Sequence, residues 1–110
     1  MASTEFCCAV DLGATNVRCA VLGRNGEISG FQRLEVSGIE NASCITAKIV
    51  DMIESAVEET GVDIGAVGIS TAGPVDLAHG SVVNSPNMQA GEIFLRDPVA
   101  EAFGVPVCML

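Results

Sequence analysis

An α/β lobe is what this sequence predicts: a mixed five-stranded sheet, three antiparallel strands followed by parallel ones, with flanking helices. Three observations carry it. The elements read in the order β-β-β-α-β, then a hairpin excursion, a second helix and a last strand. Apolar residues make up 49% of the 110 residues and charged ones 17%, with no Trp and no Tyr. That balance suits a sheet buried by helices rather than a disordered chain. The strand–helix–strand run ending at Thr71 implies a right-handed crossover into a parallel pairing.

Residues 6–11 form strand one, nearly all apolar and expected to be buried on both faces. Residues 16–22 form strand two, where Arg18 interrupts the apolar run and reaches toward the acidic loop or solvent. Asn25-Gly26 is the strongest short hairpin signal. Residues 27–36 therefore return antiparallel as strand three, an edge strand. The imperfect alternation of Ile28, Phe31, Leu34 and Val36 fits a bulge near Gly30.

Helix one begins at Asn41, a good N-cap type, and runs to Thr60, with Gly61 at C′. Ile45, Ile49, Met52, Ile53, Ala56 and Val57 follow the helical period on one face. Glu58 and Glu59 oppose the dipole in the last turn and read as a solvated face. Residues 62–71 are strand four, with Ala66, Val67 and Ile69 inside. A small hairpin then projects from its carboxyl end, through Gly73-Pro74-Val75-Asp76, a polar turn holding His79, and residues 81–83. Residues 84–87 are irregular. Asp97 caps a short second helix, with Pro98 at its first position and Gly104 closing it. Residues 106–110 are the fifth strand.

Charge and cysteine usage narrow the partners. A net charge of −9 without a Lys/Arg cluster argues against nucleic acid, which needs a basic footprint, and against anionic membrane surfaces. No apolar run approaches the ~20 residues a membrane helix needs, and residues 1–5 lack the basic start of a signal peptide. The five cysteines are odd in number and show no C-x-x-C spacing. They read as buried, reduced thiols of a cytosolic protein. The single histidine, His79, has no spaced partners for zinc.

The stretch Asp11-Leu12-Gly13-Ala14-Thr15-Asn16 lies between two apolar strands. Such a small-residue turn leaves backbone amides without ladder partners and can form a nest for phosphate. A carboxylate just before it suits Mg²⁺, which takes oxygen ligands and keeps several waters. A tight hairpin relaxed by Gly and Asn explains the same residues equally well. The element order tips the balance. It is the order of a ribonuclease-H-like lobe, and neither G-x-x-x-x-G-K-[ST] nor G-x-G-x-x-G occurs. Asp11, Thr71 and Leu110 all fall at carboxyl ends of strands, where ligands of such sheets bind.

Asp11-Leu12-Gly13-Ala14-Thr15-Asn16-Val17-Arg18 resembles the first phosphate motif of sugar kinases in the actin/Hsp70/hexokinase superfamily. Gly68-Ile69-Ser70-Thr71-Ala72-Gly73-Pro74-Val75-Asp76, followed by Asn84-Ser85-Pro86-Asn87, resembles the second signature of the ROK family (repressors, open reading frames, kinases). Residues 98–110 resemble the helix and strand before that family's catalytic Asn-Asp. The resemblance implies an actin-like ATPase lobe, residues 1–110 being the N-terminal lobe of an ATP-dependent, glucokinase-like hexose kinase. Asp11 would hold Mg²⁺ through water. Gly13, Ala14, Thr15 and Asn16 would meet the ATP phosphates, and Thr71, Gly73 and Asn87 the sugar. The catalytic base would follow Leu110. Ala14 replaces a second glycine common in relatives, and Ala72 a common proline. The complete protein is expected to be a cytoplasmic homo-oligomer acting on a small hexose, without nucleic acid or membrane. The alternatives are a sugar-responsive repressor of the same family and a non-catalytic actin/Hsp70-type nucleotide module.

Overall fold

The computed structural model describes residues 5–36, 41–83 and 91–110. In chain order the elements are β1 (Phe6–Leu12), β2 (Asn16–Gly23), β3 (Ile28–Glu35), α1 (Ala42–Thr60), β4 (Val67–Thr71), β5 (Val75–Asp76), β6 (Ser81–Val82), β7 (Ile93–Phe94), α2 (Arg96–Phe103) and β8 (Val107–Met109). The main sheet has the order β3-β2-β1-β4-β8. Its first three strands pair antiparallel, and β4 and β8 run parallel to β1. The expected mixed five-stranded architecture is therefore present. A second sheet, β5-β6-β7, is antiparallel. Its third strand was not foreseen, because two residues are too few to show a period.

The core lies on one face of the main sheet. Leu12 opposite Val17, Val10 opposite Cys19 and Cys8 opposite Val21 are all buried. They pack beneath Ile45, Ile49, Met52, Ile53 and Ala56 of α1, as their helical spacing requires. Strand one is not buried on both faces: Cys7, Ala9 and Asp11, which alternate with the core residues, are only half-buried. The physical reason is coverage. The long helix α1 packs against β2 and β3 from the core side, and α2 packs against β8 and α1.

Local chemistry explains most boundaries. The Asn41 side chain accepts from the Ser43 amide at 2.9 Å, and Gly61 closes α1 at φ +70° with its N–H on the Val57 carbonyl. The bulge falls where expected. Cys19 lies opposite Gln32 but Val21 opposite Ser29, so β3 carries one extra residue around Gly30, whose φ is +60°. Strand four begins at Val67, not at residue 62. Residues 62–66 instead return irregularly from the left-handed Gly61, sinking Ile64 into the core.

Asp97 is not the N-cap of the second helix; Leu95 is, and Asp97 sits inside the first turn with Pro98 after it. The Gly80 carbonyl accepts from both the Leu95 and Arg96 amides. The hairpin, not a side chain, thus satisfies this helix start. Cys8 and Cys19 are buried as expected, but Cys44 and Cys108 are exposed. Cys44 points away from the core on α1, and Cys108 shares the uncovered sheet face with Gly68. A hydrogen bond with Cys19, together with burial, pushes the Cys8 thiol well above the usual range. Among the described residues no helix is long and apolar enough to cross a membrane.

Candidate functional site

Cross-strand register sets one polar row on the uncovered face. Ser70 of β4 lies beside Asp11 of β1, Asp11 opposite Arg18 of β2, and Arg18 opposite Arg33 of β3. The Ser70 hydroxyl donates to Asp11 Oδ1 at 3.1 Å. The Arg18 guanidinium donates to Asp11 Oδ2 at 2.7 Å. Arg18 therefore reaches the acidic residue, one of the two courses its position in the apolar run allowed.

The turn after β1 is tight. The Gly13 N–H donates to the Asn16 carbonyl at 2.9 Å. A Cβ at Gly13 would stand 3.1 Å from that same oxygen, so a larger residue would crowd the turn. Among the described residues, the amides of Ala14 and Thr15 donate to no backbone carbonyl. Side chains finish the loop: Asn16 Nδ2 donates to the Thr15 hydroxyl at 3.0 Å, and Arg33 Nε donates to Asn16 Oδ1 at 3.3 Å. The Val36 amide ties the Thr15 carbonyl to the end of β3 at 2.7 Å. Asp11, Gly13, Thr15, Asn16, Arg18, Phe31 and Arg33 together line an open cleft of about 440 Å³. Ala14 belongs to the turn but does not line the cleft.

The neighbouring turn begins at the same level. Thr71 pairs with Leu12 in the parallel register, and the Ala72 amide donates to the Leu12 carbonyl. The Thr71 hydroxyl donates to the Gly73 carbonyl at 3.0 Å, closing this turn on itself. Neither Thr71 nor Gly73 lines the Asp11 cleft. Asn87 lies outside the described residues. Beyond the turn, Asp76 accepts from the Ala78 and His79 amides and from His79 Nδ1, the last at 2.7 Å. The hydrogen bond with His79 holds the Asp76 carboxyl below the usual carboxylate range and pushes the His79 imidazole up. Arg96 of α2 donates to the Leu77 and Ala78 carbonyls at 2.6 and 3.2 Å, clamping the hairpin to the helix.

The donor set allows a hydrated divalent cation. Asp11 is half-exposed, with its side chain 47% accessible. One proton donor engages each of its oxygens, and each oxygen keeps a second lone pair. No cluster of three His, Cys, Asp or Glu able to hold a metal exists among the described residues. A cation here would thus meet one carboxylate, waters and the ligand's own oxygens, a set that matches the habits of Mg²⁺.

The strand order is that of a known group of proteins. Residues 7–110 match the model of the ROK family. The chain belongs to the ROK family. It is 35% identical over 85 residues to a glucokinase of Aeropyrum pernix, covering 74% of this chain and 24% of that protein. Its fold matches a ROK family glucokinase from Streptomyces griseus in complex with glucose and AMPPNP. There the TM-score is 0.80 at 30% identity, over 94% of this chain and 32% of that one. A ROK family transcriptional regulator matches with a TM-score of 0.80 at 19% identity, over 94% and 27% of the two chains; that likeness concerns the fold alone. The ROK chain spans about a quarter to a third of the length of these relatives. Its mixed sheet has the actin-like ATPase fold of the ROK glucokinase structures.

Of the residues expected at the site from sequence, the fold gathers Asp11, Gly13, Thr15 and Asn16 into one cleft. Arg33, Phe31 and Ser70 join the arrangement without having been foreseen. The signal for Ser70 is its place one residue before Thr71, level with Asp11 across a parallel pair. Arg33 offered none, because the bulge decides which side chains of β3 face the turn.

Proposed function

We propose that this ROK chain is the N-terminal, phosphate-loop lobe of an ATP-dependent hexose kinase of the glucokinase type. The observation that carries the reading is the seating of Asp11 beside the Gly13–Asn16 turn, in a cleft with two guanidinium groups, within a chain of net charge −9. Positive charge and free amides gathered at one turn of an acidic protein suit an anionic phosphate chain. The identity to glucokinases supports a hexose as acceptor.

In this reading Gly13 lets the backbone come close to the donor phosphates. The Ala14 and Thr15 amides and the Thr15 hydroxyl donate to their oxygens. Asn16 orients the Thr15 hydroxyl. Asp11 holds the water shell of Mg²⁺, which when bound offsets the charge on the transferring phosphoryl group. Thr71, Gly73 and Asn87 form the sugar side. The base that takes the sugar hydroxyl proton belongs to the segment expected after Leu110. The complete protein is read as a cytoplasmic homo-oligomer. A coupled assay on the full-length gene product, with ATP and a panel of hexoses, tests this. ATP-dependent formation of a hexose phosphate is expected. Its absence, together with sugar-dependent DNA binding, would instead establish a repressor.

A further inference from the structure

Three of the five basic residues of this chain lie elsewhere; Arg18 and Arg33 stand directly opposite each other across β2 and β3. Like charges in that relation are destabilising unless something neutralises them. Asp11 neutralises Arg18 at 2.7 Å. Among the described residues Arg33 pairs with no carboxylate; its one partner is the neutral Asn16 Oδ1, at 3.3 Å from Nε. An arginine anchored through Nε keeps its Nη donors for a ligand. Arg33 lines the same cleft as Gly13, Thr15 and Asn16. A planar guanidinium so placed is matched to bidentate contact with a phosphate group.

We infer that Arg33 is a donor-binding residue: its Nη groups contact the phosphate chain of the phosphoryl donor, while its Nε holds Asn16 and, through it, Thr15. This rests on the reading of the cleft as a phosphate site and adds to it a residue outside the sequence motif. It assigns the second wall of that site to the edge strand β3. The bulge at Gly30 then has a functional consequence, since it sets which residues of β3 face the loop.

The test uses the full-length protein and two probes, Mg²⁺-AMPPNP and inorganic tripolyphosphate, with binding followed by calorimetry. Arg33→Gln is expected to weaken both by about tenfold or more, the scale of a charge-assisted hydrogen bond. Glucose affinity and Tm should stay unchanged, because Arg33 is exposed. Arg33→Lys, which keeps the charge but not the fork, is expected to recover part of the loss. Equal weakening of tripolyphosphate and AMPPNP places the contact on phosphate rather than on the nucleoside. Unchanged binding of both probes in Arg33→Gln overturns the inference while leaving the kinase reading intact. Failure of the unsubstituted protein to bind either probe removes the phosphate site itself.

Discussion

Asp11 accepts one hydrogen bond from Ser70 and one from Arg18, so its carboxylate is fixed in direction before any ligand arrives. On the proposed kinase reading, Asp11→Asn in the full-length protein should lower kcat by about 10²-fold or more, the scale of losing one electrostatic support of a transition state. KM for the sugar should hold, since on that reading the contact serves the phosphoryl group. Steady-state kinetics separate the two, and an unchanged kcat would refute the assignment. The one histidine gives a second readout. The bond to Asp76 raises the His79 pKa, so its midpoint should lie above the ordinary ~6.5. Because the folded value is raised, the pair's support of the hairpin is fully present below ~6.5 and is lost as pH climbs through the raised value. The Asp76 side of the pair fades instead as pH falls through its lowered value. An NMR titration should show the elevated midpoint, and Asp76→Asn should bring it down. At this level the sequence displayed the loop, because a carboxylate followed by small residues between apolar strands is a local signal. It hid Arg33, the Ser70 bond and the Asp76–His79 pair, which depend on register and turn geometry.

Helix α1 and the bulged strand β3 are fitted to each other at Gly30. Its φ is +60°, and a Cβ there would meet the Ala56 carbonyl oxygen at 2.9 Å and Thr60 Cγ2 at 2.8 Å. Gly61 also has a positive φ, but nothing lies within 4 Å of the Cβ it would gain. Gly30→Ala should therefore cost clearly more stability than Gly61→Ala. The expected gap is about 1–3 kcal/mol, from steric conflict added to the backbone strain both share. Urea unfolding of the two variants reads the difference; equal losses would mean that α1 shifts freely over the strand. The long elements were legible because α1 repeats its apolar residues at helical spacing and the strands carry Asn-Gly and Gly punctuation. Strand β7 and the true start of α2 were not. The α2 start bonds to Gly80 and β7 pairs with β6, partners brought near only by the folded hairpin.

Spanning a quarter to a third of its relatives' length, this stretch is expected to bind without turning over. Among the described residues, the cleft holds a single carboxylate, Asp11, already engaged by Ser70 and Arg18. A general base contributes ~10²–10⁴-fold, so residues 1–110 expressed alone should phosphorylate no hexose above a boiled control. Turnover by that piece would show that the base lies within it. Parallel topology was legible from the crossover rule, whereas the one-sided burial of the sheet was not, since an apolar strand looks alike whether one face or two are covered. The strand order also has a kinetic side. Antiparallel pairs β1–β2 and β2–β3 join neighbours in the chain, while β1 meets β4 only when Cys8 finds Val67 across the whole of α1. Closing near contacts first is the cheaper route in chain entropy. On that ground the turn from Gly13 to Asn16 takes shape in the early-forming meander and the Thr71–Gly73 turn is laid against it later, so the loop proposed for phosphate is the template on which its neighbour is built.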